Sequence, residues 1–246
     1  MRGVIKWNGA LSDQFGIDIE KYPNYTKPKR KMDVYSVPGR SGDIIMMQNA
    51  WDNTEQEYDI VAGSDAEHSV QVAFDKVADW LCSPKGYCEL WDSFDPEHFR
   101  LAYFEGPLDV ESFAIGRGGR AKISFNCKPQ RYLVAGKLVT SFKSATSRIY
   151  NPTAYDAKPL LFIERSAAGN GTVTVNGTMF TITDIPDVGL YIDCDELNCY
   201  DPNGNNMNSR VVSSSSEFAL LSPGYNVIGI TGNIDTVSIT PHWFEI

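Results

Sequence analysis

Much of what would announce a function is missing from this chain of 246 residues. Apolar runs such as Ala219-Leu220-Leu221 fall far short of the roughly 20 residues a membrane-spanning helix needs, so no helical membrane insertion is expected. The opening Met1-Arg2-Gly3-Val4-Ile5-Lys6-Trp7 meets Lys6 and then Asn8 where a secretory signal would continue apolar, and export by that route is not expected. Cysteine is sparse and odd in number, at positions 82, 88, 127, 194 and 199, with no Cys-x-x-Cys pair. Any disulfide scheme leaves one thiol over, so reduced, mostly buried thiols made in a cytoplasm are the better reading. Basic charge is scarce as well: 22 Lys and Arg face 31 Asp and Glu, a net charge of -9. The deficit is four charges up to position 133 and five from 134 onward, which disfavours general nucleic-acid binding along the whole chain.

Catalytic signatures are lacking too. His68, His98 and His242 lie far apart with no local partners for metal or nucleophilic work. Gly-x-Ser-x-Gly, His-Glu-x-x-His and the phosphate-loop pattern do not occur. Gly116-Arg117-Gly118-Gly119-Arg120 lacks the Lys-Ser/Thr ending of a phosphate cradle and reads as a flexible hairpin tip. No catalytic residue, cofactor or metal is expected.

What is present is β-structure. Hydrophobic residues at 42% and charged residues at 22% exclude disordered and fibrous classes and allow a sizeable core. Gly3 to Trp7, Asp33 to Val37, Asp43 to Gln48 and Glu57 to Ala62 are short, β-branched or aromatic, and divided by turn formers. Ser64-Asp65-Ala66-Glu67 offers a capping box. Val70, Ala73, Phe74, Val77, Ala78 and Leu81 then form one helical stripe, predicting a helix over about 66 to 82. Strands follow near 87 to 91, 99 to 112 and 121 to 128, the last stopping at Pro129. Val37-Pro38-Gly39-Arg40-Ser41-Gly42-Asp43 is a rigid turn across which Arg40 and Asp43 can pair.

After Tyr132 helix signals vanish, and the small, polar Ser141 to Ser147 marks a boundary region. Domains of 1–133 and 134–246 are expected. The second contains Thr172 to Val175 and Thr178 to Ile182 about an Asn176-Gly177 turn, with further short strands at 190 to 194, 218 to 221, 226 to 230 and 236 to 240. The fold class is therefore mainly β: an N-terminal β domain with one α-helix and a β-hairpin, and a C-terminal sandwich of jelly-roll type.

Four clusters are candidates for more than folding. Lys27-Pro28-Lys29-Arg30-Lys31 is the one basic block, read either as protection of a strand edge or as a patch that meets an acidic face of a neighbouring subunit. Asp193, Asp195 and Glu196, with Asp193 and Asp195 on one strand face, read as a solvated strand end, with calcium binding or carboxylate catalysis as alternatives. Asp92, Asp95 and Glu97 around Trp91 and Phe94 read as a loop anchored by one buried aromatic. Tyr200, Asn203, Asn205 and Asn206 form either a long polar turn or a docking site for sugar or protein.

The order and spacing of several short segments resemble the distal tail proteins (Dit family) of long-tailed, non-contractile bacteriophages. In the first half these are Gly3-Val4-Ile5-Lys6-Trp7-Asn8-Gly9, Phe15-Gly16-Ile17, the turn from Val37 to Asp43, Ala78-Asp79-Trp80-Leu81 and Cys127-Lys128-Pro129-Gln130-Arg131-Tyr132. In the second they are Asn151-Pro152-Thr153, Lys158-Pro159-Leu160, the Asn176-Gly177 hairpin, Ser222-Pro223-Gly224-Tyr225-Asn226 and Pro241-His242-Trp243-Phe244. The resemblance implies a ring-forming N-terminal domain and a galectin-like C-terminal β-sandwich. It also implies a virion protein of the tail tip, assembled in the host cytoplasm. Its partners would be copies of itself in a hexameric ring, single or stacked in two, with the tail tube protein, the tail-tip protein and a receptor-binding protein. DNA would pass through the ring without specific binding, along a lumen whose acidic lining repels it. Within that frame Lys29, Arg30, Lys31, Arg40, Asp43 and Arg131 are the candidate ring-interface residues. A carbohydrate-binding role for the C-terminal sandwich, recognising host cell-wall sugars, is the alternative.

Overall fold

The computed structural model describes residues 3–63, 69–113 and 117–246. It divides into two compact units, residues 1–131 together with Ile246, and residues 132–245. Each has its own core cluster.

The first unit runs β1 (Ile5–Trp7), β2 (Ala10–Leu11), β3 (Ile17–Ile19), β4 (Arg30–Tyr35), β5 (Ile44–Trp51), β6 (Thr54–Gly63), α1 (Val70–Cys82), β7 (Cys88–Asp92), β8 (His98–Phe104), β9 (Val110–Phe113) and β10 (Gly118–Leu133). Its main sheet has the order β2-β1-β7-β8-β10-β6-β3, with β9 also pairing β10. An antiparallel bridge between Gly3 and Ile19 brings the chain start against β3, so the sheet curls toward closure. Alternation decides what faces inward. Gln56, Tyr58, Ile60 and Ala62 of β6 are buried, whereas Glu55 and Glu57 between them are exposed.

Helix α1 covers this core with Val70, Phe74, Val77 and Leu81, joined by Trp80. It starts at Val70, later than the expected 66, because Ser69 is the residue that caps it, its hydroxyl accepting from the Val72 N–H. The segment Ser64 to Glu67 and His68 lie outside the described residues. Two segments that carried the family resemblance lock onto each other here. The Trp7 indole donates to the Leu81 carbonyl at 3.3 Å, the Trp80 indole donates to the Trp7 carbonyl at 3.2 Å, and Phe15 stacks on Trp80.

Three expectations need correction. The stretch 99 to 112 is two strands parted at Gly106-Pro107, not one. Pro129 does not stop β10, because β6 begins at Thr54, opposite Cys127, and the proline lies beyond the last residue paired on that side. Gly118 to Arg120 are not a flexible tip but strand, paired to both β9 and β6. The glycine at 119 is demanded by the helix: a Cβ there would sit 2.7 Å from Phe74 and 2.8 Å from Val70. Gly119→Val is expected to cost about 1–3 kcal/mol through overpacking, read as a lower urea midpoint with an unchanged slope.

In the second unit the strands are β11 (Thr140–Phe142), β12 (Thr146–Asn151), β13 (Leu160–Arg165), β14 (Gly171–Val175), β15 (Thr178–Ile182), β16 (Leu190–Asp193), β17 (Asn198–Tyr200), β18 (Val211–Ser213), β19 (Gly224–Gly232) and β20 (Ile234–Thr240). They form two antiparallel five-stranded sheets, β11-β20-β13-β16-β17 and β12-β19-β14-β15-β18. Inward residues of both, among them Leu161, Ile163, Ile192 and Ile239 from one and Val173, Phe180, Ile182 and Ile228 from the other, merge into one core. This is a β-sandwich. Asn176 and Gly177 both take positive φ, 49° and 90°, and turn β14 directly into β15. The polar segment Ser141 to Ser147 is largely strand, shared by β11 and β12. Phe218 to Leu221 is not a strand; only Leu221 makes a bridge, to Ala157.

Two buried asparagines explain why polar segments recur in this sandwich. Asn151 donates to the carbonyls of Tyr155 and Leu221, and Asn226 to those of Ser222 and Gly224. Each is buried with its amide satisfied by backbone acceptors where the chain turns at the end of a strand.

All five cysteines are free, with Cys127, Cys194 and Cys199 buried and Cys82 exposed. Burial pushes the thiols of Cys127 and Cys194 up to about 12 and that of Cys199 to about 11, from an ordinary 9.0. Above pH 9 the unfolded chain therefore loses these protons while the folded chain keeps them, and stability falls as pH rises. The urea midpoint is expected to drop steadily between pH 9 and 11; a flat midpoint would count against this burial.

Candidate assembly interface

β4 and β5 pair with each other and, among the described residues, with no other strand. The sequence fixes their connection, since Val37-Pro38-Gly39-Arg40 closes with the Arg40 N–H donating to the Val37 carbonyl and Gly39 at φ 82°. Proline followed by a positive-φ glycine is the type II turn pattern. Across the pair, Met32 faces Met47 and Val34 faces Ile45, while Asp33 faces Met46 and Tyr35 faces Ile44. Because directly opposed residues share a face, one face is the unbroken apolar set Met32, Met47, Val34 and Ile45. The other mixes Tyr35, Ile44 and Met46 with an Asp33–Gln48 hydrogen bond.

Both faces are open. Val34, Tyr35, Ile45, Met46 and Met47 are each more than half exposed. A two-stranded ribbon is marginal in water by itself, and a contiguous apolar surface left open to solvent is unusual for a single soluble chain.

Five of the six candidate interface residues gather on this hairpin. Lys29, Arg30 and Lys31 lie at its root, where Arg30 covers the Trp51 ring and Lys31 is 3.8 Å from Asp52. Arg40 and Asp43 lie in the turn, both exposed, with no ion pair joining them among the described residues, contrary to the expected pairing across the bend.

Arg131 stands elsewhere. Its guanidinium is 3.2 Å from Asp95, which also holds His98 at 2.7 Å. Beside them the buried Asp92 accepts from the hydroxyls of Tyr25 and Tyr58 at 2.7 and 2.8 Å and from the backbone N–H groups of Phe94 and Asp95. Burial, and after it the Asp92 charge, push the Tyr58 phenol well above its ordinary value. The anchor of this loop is thus a carboxylate, not the buried aromatic expected there. The cavity among these groups is about 10 Å³, room for one water at most.

Of the remaining candidates, Asp193 ends β16 and its carboxylate accepts from the N–H groups of Asp195 and Glu196. Strand alternation therefore does not extend to Asp195, which pairs with Lys158 at 2.9 Å. Among the described residues no group of three His, Cys, Asp or Glu is placed to hold a metal ion. The loop after Tyr200 is organised on Asp201, which accepts from the backbones of Asn203 and Asn205 and from the Asn205 amide. Hydrogen bonding from the Asn205 side chain leads in holding the Asp201 carboxyl below its ordinary range. Asn206 in turn accepts from the Asn208 N–H. Tyr200 itself ends a row of rings, Phe162–Tyr191–Tyr200, with centroids 4.5 and 5.3 Å apart.

The exposed hairpin is the feature sequence reasoning missed. Its strands were legible, but their exposure was not. The available signal was Ile44-Ile45-Met46-Met47, four apolar residues in succession where a half-buried strand would alternate.

No protein-family model matches the chain, and no curated protein matches it in sequence. Solved structures do. The Dit (gp 19.1) protein of phage SPP1, described as a paradigm of the hub adsorption apparatus in phages infecting Gram-positive bacteria, superposes with a TM-score of 0.75 at 13% identity. The match covers 96% of this chain and 97% of that one. The chain has the Dit fold. The baseplate of phage p2 in its activated conformation with Sr matches with a TM-score of 0.54 at 12% identity, covering 96% of this chain and 97% of that chain. The same baseplate with Ca gives 0.53 at 10% identity, covering 97% and 96%. The Dit likeness thus takes in both units and nearly every residue, although so few positions are identical.

Proposed function

We propose that this protein is a structural hub of a phage tail tip, closing with copies of itself into a hexameric ring through the β4–β5 hairpin. The observation that carries this reading is the hairpin itself, a ribbon with an unbroken apolar face and no further strand partner among the described residues of its own chain. A heterologous contact, arm of one copy onto body of the next, closes a ring in which every arm is covered. In this reading, which the likeness to the SPP1 Dit hub protein and the p2 baseplate supports, the ring would join the tail tube to the tail-tip protein, carry a receptor-binding protein, reside in the virion and let DNA pass through its centre. The net charge of -9 suits a passage that does not retain DNA.

Sugar binding by the C-terminal sandwich has less behind it. Asn203, Asn205 and Asn206 direct their polar groups into their own loop, leaving few free amides to converge on a ligand. No catalytic role is assigned, since the polar cluster around Asp92 has no space for a substrate. Negative-stain images of the purified full chain test the proposal. Six-fold rings with a central opening are expected; uniform particles of single-chain size would contradict it.

A further inference from the structure

The proposed ring leaves open where the arm of one copy lands. We propose that the hairpin tip docks, through Arg40, into an acidic cleft at the hairpin root of the next copy, so that the ring closes tip to root. This rests on the ring reading above. The cleft has a volume of about 430 Å³ and lies between the segment Lys21 to Thr26 and the outer face of β6. Three carboxylates line it from alternate positions of one strand, Glu55, Glu57 and Asp59. Two are neutralised within the chain, Glu57 by Lys122 at 3.2 Å and Asp59 by Lys21 at 2.8 Å. Glu55 is exposed, and its carboxylate has no hydrogen bond or ion pair among the described residues.

Arg40 is its counterpart. It is exposed, lies at the far end of the arm, and its side chain makes no hydrogen bond or ion pair among the described residues. A guanidinium entering the cleft would give Glu55 a bidentate partner, and the volume admits it with its stem. Geometry favours this pairing over one between the basic block and the cleft, because Lys29 and Arg30 lie against Asp52 and Trp51, just ahead of Glu55, and so sit at the same root as the cleft. From Arg30 to the turn the arm spans about 20 to 30 Å at roughly 3.3 Å per residue. In a six-fold ring the distance between equivalent points on neighbouring copies equals the radius. A tip-to-root contact would therefore fix the ring radius at the arms by the arm's own length.

The test is a charge exchange in the full chain. Arg40→Glu alone and Glu55→Arg alone are each expected to weaken assembly at least tenfold at low salt, and the two together to restore most of it. In a Cys82→Ser background, Arg40→Cys combined with Glu55→Cys should give, with a short bis-maleimide cross-linker that spans the length of the Arg and Glu side chains, a covalent ladder ending at the closed ring, the two backbones being too far apart for a direct disulfide. Assembly insensitive to both single exchanges, or a double exchange no better than the singles with no ladder, overturns the tip-to-root contact while leaving the ring intact. An unsubstituted chain that stays monomeric overturns the ring itself.

Discussion

Val34→Asp combined with Ile45→Asp is expected to turn the assembled protein into a monomer, raising the concentration at half assembly at least 100-fold. Both residues lie on the unbroken apolar face of the hairpin, opposite each other. Covering such a side chain on assembly contributes about 1.5–3 kcal/mol, and a carboxylate in its place must be desolvated without a partner. Loss of the two together exceeds the roughly 2.7 kcal/mol that 100-fold represents. The monomer should fold as before, because both positions are already more than half exposed and surface changes rarely move stability by more than about 0.5 kcal/mol. Sedimentation velocity with a parallel urea titration checks both halves. Asp33→Ser, on the mixed face, serves as the comparison and should have a much smaller effect; equal effects from both faces would show that the apolar set is not the contact.

Asp92→Ala should destabilise the first unit by about 3–5 kcal/mol, since it strands two tyrosine hydroxyls and two backbone N–H groups that now donate to one buried carboxylate. A domain stable by 5–15 kcal/mol loses a large share of its margin. Trp7, Trp51, Trp80 and Trp91 all belong to this unit and Trp243 to the other, so tryptophan fluorescence in urea reports chiefly on the affected half. A loss below about 1 kcal/mol would mean that water replaces the carboxylate at little cost, and that the network does not hold the loop between β7 and β8.

The mainly β class, the single helix and the Asn176-Gly177 hairpin were legible in the sequence because each depends on local period or turn chemistry. Gly3 to Gly9 and Ala78 to Leu81, two separate segments of the family resemblance, meet in space through Trp7 and Trp80. Misreadings arose where a tertiary contact overrides local preference. Gly118 and Gly119 look like a loop in sequence, yet they are strand because the side chains packed over them leave no room for a Cβ. Pro129 looks like a strand end, yet the strand continues because no partner on the β6 side needs its N–H. Exposure was the least legible property. A run such as Ile44 to Met47 reads the same whether it lies in a core or awaits another copy, and only the absence of a third strand beside it tells them apart.

The mass of the unmodified full chain in solution, by light scattering or native mass spectrometry across a range of concentrations and salt, bears most directly on the ring. Six chains of 27.4 kDa predict a species of about 164 kDa, or twice that for two stacked rings, with the Arg40 contact alone weakened as salt rises. A single species of 27.4 kDa at every concentration would contradict the account.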